Sequence, residues 1–398
     1  MFENLKIQSE DKIMALMSLY LADGREEKID LGVGVYKNNN GETPIMNAVQ
    51  KAATILKDKQ KTKSYVGLSG NLSFIDKISK LVLANVVSKD RIVGAQAPGG
   101  TGAFHQILLL MRSMGKDKQV WISSPSWPNH AAILKHLGIK FSSYYYFDDE
   151  TCEVNFPRMM FDLEKMNSGD VLLLHGCCHN PTGANLSIEH WSELTKFCEK
   201  KNILPLIDLA YQGFGDGIDE DVKGVQYMAS KLPELCIGVS CSKNFGLYRE
   251  RVGASLLVVS NKENCKLAED NLKSFNRVTF SFPPDYGASL VDIVLGGDNF
   301  QNKELIKLWR KELNSMRNGM LQLRNSLSDC LRLNTNSTRF DFIKRHRGMF
   351  SLMGLSFDQV TKLRSEFGIY MVGDSRINIA GLNKDKIEYF SSSIASVI

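Results

Sequence analysis

The sequence predicts an α/β fold built on a mostly parallel sheet, and two observations carry that expectation. Short apolar runs at 91–95, 119–123, 140–146, 171–174, 203–207, 235–239 and 253–259 recur with helical pattern between most of them. Such alternation is what crossover-connected parallel strands produce. Near residue 300 the character changes: 302–331 is one long helical pattern, and 338–398 alternates short strands with two helices. A chain of 398 residues is long for a single core. The boundary is therefore placed within the long helix, giving a large domain over 44–310 and a smaller α+β domain from 1–43 and 311–398.

Composition narrows the class. Hydrophobic residues at 43% and charged residues at 23% describe an ordinary soluble globular protein. The net charge of +5 comes without a basic block, so nucleic acid is not an expected partner, although a mildly positive cleft for anionic substrates is allowed. No apolar run approaches membrane-spanning length, so no membrane association is expected. The start, MFENLKIQSEDK, mixes charges and lacks the apolar core of a signal peptide. Eight cysteines at irregular spacing fit reduced thiols and a cytoplasmic location.

In chain order, 11–22 has helical spacing and ends at the Asp23-Gly24 turn. Residues 29–36 read as a strand whose glycines mark close approach by another group. GVGVYK has Lys37 where a dinucleotide fingerprint needs its third glycine. Helical pattern follows at 45–57 and 72–86, and Gly99-Gly100-Thr101-Gly102-Ala103 then leads into a helix over 103–114.

Ligands of open parallel sheets bind beyond the carboxyl ends of the strands, so the loops there belong together. GGTGA offers free N–H groups and a helix dipole to a phosphate. SPSWPNH holds Trp127 between two prolines as a rigid aromatic plate. HGCCHNPTG contains four metal-type ligands, yet neighbours on an extended chain point to opposite faces and no second ligand pair follows, so no metal is expected. Asp208 directly follows an apolar run, with Tyr211 close behind. Lys243 follows two serines at the end of another strand, with Arg251 eight positions on. Such a lysine either neutralises a phosphate or forms a Schiff base with a carbonyl cofactor. A phosphate cradle with its arginine, an aromatic plate, an acid, a phenol and a lysine together match pyridoxal phosphate.

SWPNH, HGCCHNPTG, DLAYQGFGDG, SKNFGLYRERVG and SRINIAG, in this order, closely resemble the aspartate and aromatic aminotransferases of pyridoxal-phosphate fold type I. The similarity runs from about Asp11 to the C-terminus. It implies that Lys243 is the Schiff-base lysine and proton shuttle, and that Asp208, supported by His130, pairs with the pyridine nitrogen. By the same resemblance Tyr211 and Asn180 bond the ring hydroxyl oxygen, and Trp127 lies over the ring. Gly100, Thr101, Ser240, Ser242 and Arg251 hold the phosphate, while Tyr65 reaches the phosphate of a neighbouring subunit's cofactor. Arg376 binds the substrate α-carboxylate, and Gly34 lies where the N-terminal segment closes over the substrate. Arg277 binds a distal carboxylate across a homodimer.

One departure bears on specificity. Aspartate-specific members commonly have Asn after the serine of SFPP, where this chain has Phe282. SCSKNF, GIYMVGDSRINIAGLN and SFPP look most like bacterial members that also accept aromatic amino acids. The resemblance thus implies amino-group transfer between an aspartate or aromatic amino acid and 2-oxoglutarate, by a ping-pong path. A β-lyase or decarboxylase on the same fold is the alternative enzyme. A non-catalytic regulator that binds the cofactor is the alternative outside enzymes; it calls for an N-terminal winged-helix domain, whereas this chain enters the enzyme pattern by about residue 11.

Overall fold

The computed structural model describes residues 2–6, 10–115, 117–296 and 300–398, with only the backbone at 300–302. Its centre is a seven-stranded sheet in the order Ile92–Pro98, Val252–Val258, Leu235–Ser240, Leu204–Leu209, Val171–His175, Val120–Ser124 and Phe141–Tyr145. Every neighbouring pair is parallel except those made by Val252–Val258, which runs against both of its neighbours. That exception has a local cause. A parallel neighbour needs a crossover of a dozen or more residues, and only the irregular stretch 241–251 joins Leu235–Ser240 to Val252–Val258.

Both faces of the sheet are covered, which explains why its strands read as continuous apolar runs. Side chains still alternate. Val171 and Leu173 pack with Phe104, Ile107, Ile133 and Leu272 from helices Gly99–Ser113, Pro128–His136 and Lys262–Thr279. Leu172 and Leu174 join the opposite core with Phe74, Ile78, Trp191, Leu194 and Leu290. The period of two is that of any strand; burying both faces hides it from the sequence.

The helix Phe300–Thr335 has 36 residues and spans about 54 Å at 1.5 Å per residue. It serves other elements as an anchor. Glu312 accepts the N–H groups of Asn47 (2.7 Å) and Ala48 (3.0 Å), so it caps the helix Asn47–Lys59, whose own N-cap, Met46, makes no side-chain bond. Trp309 is fully buried, stacks on Phe245 and donates its indole N–H to the Asn244 carbonyl at 2.8 Å. The backbone just after Lys243 is thereby tied to this helix.

Three two-stranded sheets complete the fold among the described residues: Ile29–Asp30 with Ile369–Tyr370, parallel, Phe350–Leu352 with Arg376–Asn378, antiparallel, and Phe147–Asp148 with Glu153–Val154, antiparallel. The strand expected over 29–36 is therefore only two residues long. Residues 31–36 are irregular because they lie against other groups: a Cβ on Gly32 would fall 2.4 Å from Leu16, and one on Gly34 would fall 2.9 Å from the Phe350 ring. The helix expected from 103 starts at Gly99, where a positive φ of 73° turns the chain directly out of its strand. Among the described residues no helix is long and apolar enough to cross a membrane.

Candidate active site

The parallel strands end on one side, and the loops leaving them surround a cavity of about 180 Å³. Gly34, Gly100, Thr101, Trp127, Asn180, Asp208, Tyr211, Ser240, Ser242, Lys243 and Arg251 all line it. Eleven residues read from the sequence thus converge on one space. Phe104, Ala210 and Tyr248 line it too and were not anticipated. Tyr248 lies inside the quoted SKNFGLYRERVG motif, so its position was visible although its part was not; its hydroxyl accepts the Tyr36 N–H at 3.1 Å.

One end of the cavity suits a phosphate. The helix Gly99–Ser113 begins there without a side-chain cap, which leaves first-turn N–H groups free. Arg251 donates to Ser242 Oγ and to the Tyr248 carbonyl, both at 3.2 Å. A Cβ on Gly99 would lie 2.4 Å from the Arg251 guanidinium, and one on Gly100 would lie 3.0 Å from Ser240 Cβ. Side chains at these two positions would crowd Arg251 and Ser240 beside the helix start, so the glycines leave that end of the cavity open for a small anion.

The other end is prepared for a ring and a reacting amine. Asp208 sits beside His175 and Gly238 in the sheet register, with Oδ2 3.0 Å from His130 Nε2; His130 Nδ1 lies 3.0 Å from Ser126 Oγ. Burial pushes the Asp208 carboxyl up, but the His130 hydrogen bond and the charges of His130, His175 and Lys243 outweigh it and hold it below the usual range. Burial pulls the Lys243 amine down against the opposing pull of Asp208, and Arg251 pulls it down further. Its Nζ lies 5.1 Å from the centre of the Tyr211 ring. Burial also raises the Tyr211 phenol, which keeps it a protonated donor. Asn180 Oδ1 is buried and has no partner among the described residues. An unpartnered amide oxygen lining a cavity fits a residue that holds a polar ligand there.

The four metal-type residues of HGCCHNPTG do not converge on one point. His175 groups with His130 and Asp208, whereas Cys177 and Cys178 group with Asp221. The Asp221 carboxylate is already engaged by the N–H groups of Gly213, Gly215, Asp216 and Gly217.

The remaining candidates lie off the cavity lining. Arg376 is buried, donates to the Gly32 carbonyl at 3.0 Å and rests 4.4 Å above the Phe350 ring. Its Nε is buried without a partner among the described residues. No spacing in the sequence singled out Phe350. Tyr65 is 84% exposed and stacks on Phe282 at 4.7 Å. Arg277 is exposed as well, 5.7 Å over Phe282, and donates to Ser281 Oγ at 2.6 Å. Tyr65, Phe282 and Arg277 therefore form one surface cluster instead of entering this chain's own cavity.

An uncapped helix start beside Arg251, a buried acid held ionised by His130 and a lysine of lowered basicity lining one cavity fit a pyridoxal-phosphate site on an α/β sheet of fold type I. The chain belongs to the aminotransferase class I and II family, whose model matches residues 26–394. It is 48% identical to the aromatic-amino-acid aminotransferase of Paracoccus denitrificans, over the full length of both chains. It is 38% identical to the aspartate aminotransferase of Escherichia coli, again over both full lengths. An aromatic-amino-acid aminotransferase from Burkholderia pseudomallei, covalently bound to pyridoxal phosphate, superposes with a TM-score of 0.96 at 35% identity, covering 100% of this chain and 99% of that one. The protein is a pyridoxal-phosphate-dependent aminotransferase.

Proposed function

We propose that this enzyme moves an amino group between aspartate or an aromatic amino acid and 2-oxoglutarate, in the cytoplasm, as a homodimer with shared sites. The observation that carries the reading is one cavity lined by Lys243, Asp208 and the Arg251 cradle together. When bound, pyridoxal 5′-phosphate supplies a carbonyl for the amino group and an electron sink for the charge left at Cα. The chain's residues do the rest. Gly100, Thr101, Ser240, Ser242 and Arg251 hold the phosphate, and Trp127 covers the ring. Asp208, oriented by His130, holds a proton on the pyridine nitrogen, and Tyr211 and Asn180 hold the ring hydroxyl oxygen. Lys243, its basicity lowered by burial, moves the proton at the substrate Cα. Arg376 takes the α-carboxylate beside Gly34. The large domain, 44–310, supplies the cofactor site, and the small domain, 1–43 with 311–398, supplies Gly34 and Arg376.

Relatives named for both substrate classes support a site that serves both, and so does the position of Arg277 beside Phe282. A distal carboxylate can accept two charge-assisted hydrogen bonds from the Arg277 fork. An aromatic side chain is served when that long arginine swings away and leaves the Tyr65–Phe282 ledge. Removing one partner of a desolvated charge pair costs about 2–5 kcal/mol. Arg277→Leu is therefore expected to lower kcat/KM for aspartate by at least about a hundredfold and for phenylalanine by less than about tenfold. Steady-state kinetics with each substrate check this; equal losses would make Arg277 a structural residue.

The exposed Tyr65–Phe282–Arg277 cluster supports a subunit contact, because its two candidate ligand-binding side chains face outward. Mixing inactive Lys243→Ala chains with Arg277→Leu chains tests this. In a heterodimer one site would carry both defects and the other neither. Random exchange should then restore about a quarter of wild-type aspartate activity. Demonstrated heterodimers without any recovery would place Arg277 in its own chain's site.

A further inference from the structure

The long helix also carries a buried cation with no part in the chemistry above. Arg324 is fully buried, and among the described residues its acceptors are carbonyls and a hydroxyl, with no carboxylate. Nη1 donates to Ser351 Oγ at 2.7 Å and to the Ile343 carbonyl at 3.3 Å. Nη2 donates to the carbonyls of Phe350 (2.7 Å), Gly348 (2.8 Å) and Arg347 (3.4 Å). Burial pushes its pKa down to about 9, which still leaves it charged at neutral pH. A desolvated charge held by neutral acceptors among the described residues is expensive for folding, and one planar fork gathering a single short segment points to a local task.

That segment, 343–351, is flanked by substrate-facing groups. Ser351 and Leu352 sit opposite Ile377 and Arg376 in the antiparallel pair. The Phe350 ring lies under the Arg376 guanidinium and against Gly34. On the other flank Arg347 N–H donates to the Gly183 carbonyl at 2.9 Å. A Cβ on Gly183 would fall 2.4 Å from the Phe350 carbonyl oxygen, so the turn that starts at Asn180 rests on the same backbone. Trp309, about 22 Å back along the helix by its rise per residue, holds the Asn244 carbonyl next to Lys243.

We propose that Arg324 is a positioning residue for carboxylate recognition: it fixes the Phe350–Leu352 strand, and through it Arg376, while the same helix fixes the Lys243 loop through Trp309. The long helix thus sets the distance between the reacting amine and the arginine that seats the substrate. The proposal rests on the reading that Arg376 takes the α-carboxylate.

The test is equilibrium binding of 3-phenylpropionate, a carboxylate with no amino group to react, to the holoenzyme. Four chains are compared: wild type, Arg324→Lys, Ser351→Ala and Arg376→Lys. Lysine keeps the charge at 324 but replaces a planar fork with a point donor, so Kd should rise about tenfold. Ser351→Ala removes one acceptor of the fork and should raise Kd about threefold. Arg376→Lys loses the two-pronged contact and should raise it at least about thirtyfold. The cofactor absorbance should be unchanged in all four, since the shift concerns the carboxylate alone. An Arg324→Lys chain that melts at lower temperature but binds like wild type would overturn the proposal. If that variant does not fold, wild-type affinity in Ser351→Ala would overturn it equally. Wild-type affinity in Arg376→Lys would instead overturn the underlying reading of Arg376.

Discussion

Lys243→Ala is expected to lose the covalent attachment of the cofactor and at least about ten-thousandfold in turnover. Two losses combine in one side chain. Among the described residues it is the only amine lining the cavity, and burial lowers its basicity against the opposing pull of Asp208, with Arg251 lowering it further, which favours the nucleophilic free amine. A positioned acid–base group also contributes about 10²- to 10⁴-fold to a proton transfer, and alanine leaves no substitute there. The phosphate cradle and Asp208 remain, so the variant should still bind pyridoxal phosphate reversibly. Absorbance after gel filtration, with single-turnover rates, checks this. A variant that keeps the cofactor through denaturation, or transaminates normally, would remove Lys243 from its role.

Asp208→Ala should retain the attached cofactor yet slow proton removal at Cα by roughly a thousandfold. Its carboxylate is held ionised by His130 and by the nearby charges against the penalty of burial. Opposite charge within a few ångströms moves a pKa by about 1–3 units, so on the proposed reading that charge would keep the ring nitrogen protonated. Replacing Asp208 with alanine also strands His130, which is itself buried. Half-reaction rates with a single amino acid measure the step directly. Rates within tenfold of wild type would mean that the nitrogen is served by another group.

Much of this site was legible because its side chains stand where strands stop. Asp208, Lys243, Trp127 and Asn180 each follow an apolar run, and residue types that carry chemistry are conspicuous there. Strand direction was less legible, since an apolar run such as Val252–Val258 reads alike both ways; the missing crossover at 241–251 was the available clue. The 29–36 segment misled for a physical reason: its alternation of apolar residues and glycines fits a strand, but the glycines are there for Leu16 and Phe350 to approach. Arg324 was invisible. It stands in a helix rich in Lys and Arg, where one more cation reads as surface, and only its carbonyl partners reveal a buried role. Phe350 escaped similarly, because nothing in its local sequence tells of an arginine folded over its ring from residue 376.

The most direct measurement is of one preparation, with aspartate and then phenylalanine as donor and 2-oxoglutarate as acceptor, following glutamate and the 2-oxoacid product together. One mole of glutamate should appear for each mole of oxaloacetate or phenylpyruvate, with parallel double-reciprocal lines for both donors and kcat/KM values within about a hundredfold of each other, the span that a hydrophobic pocket can discriminate. Release of ammonia or carbon dioxide in place of glutamate, or turnover of only one donor class, would refute a single site that serves both.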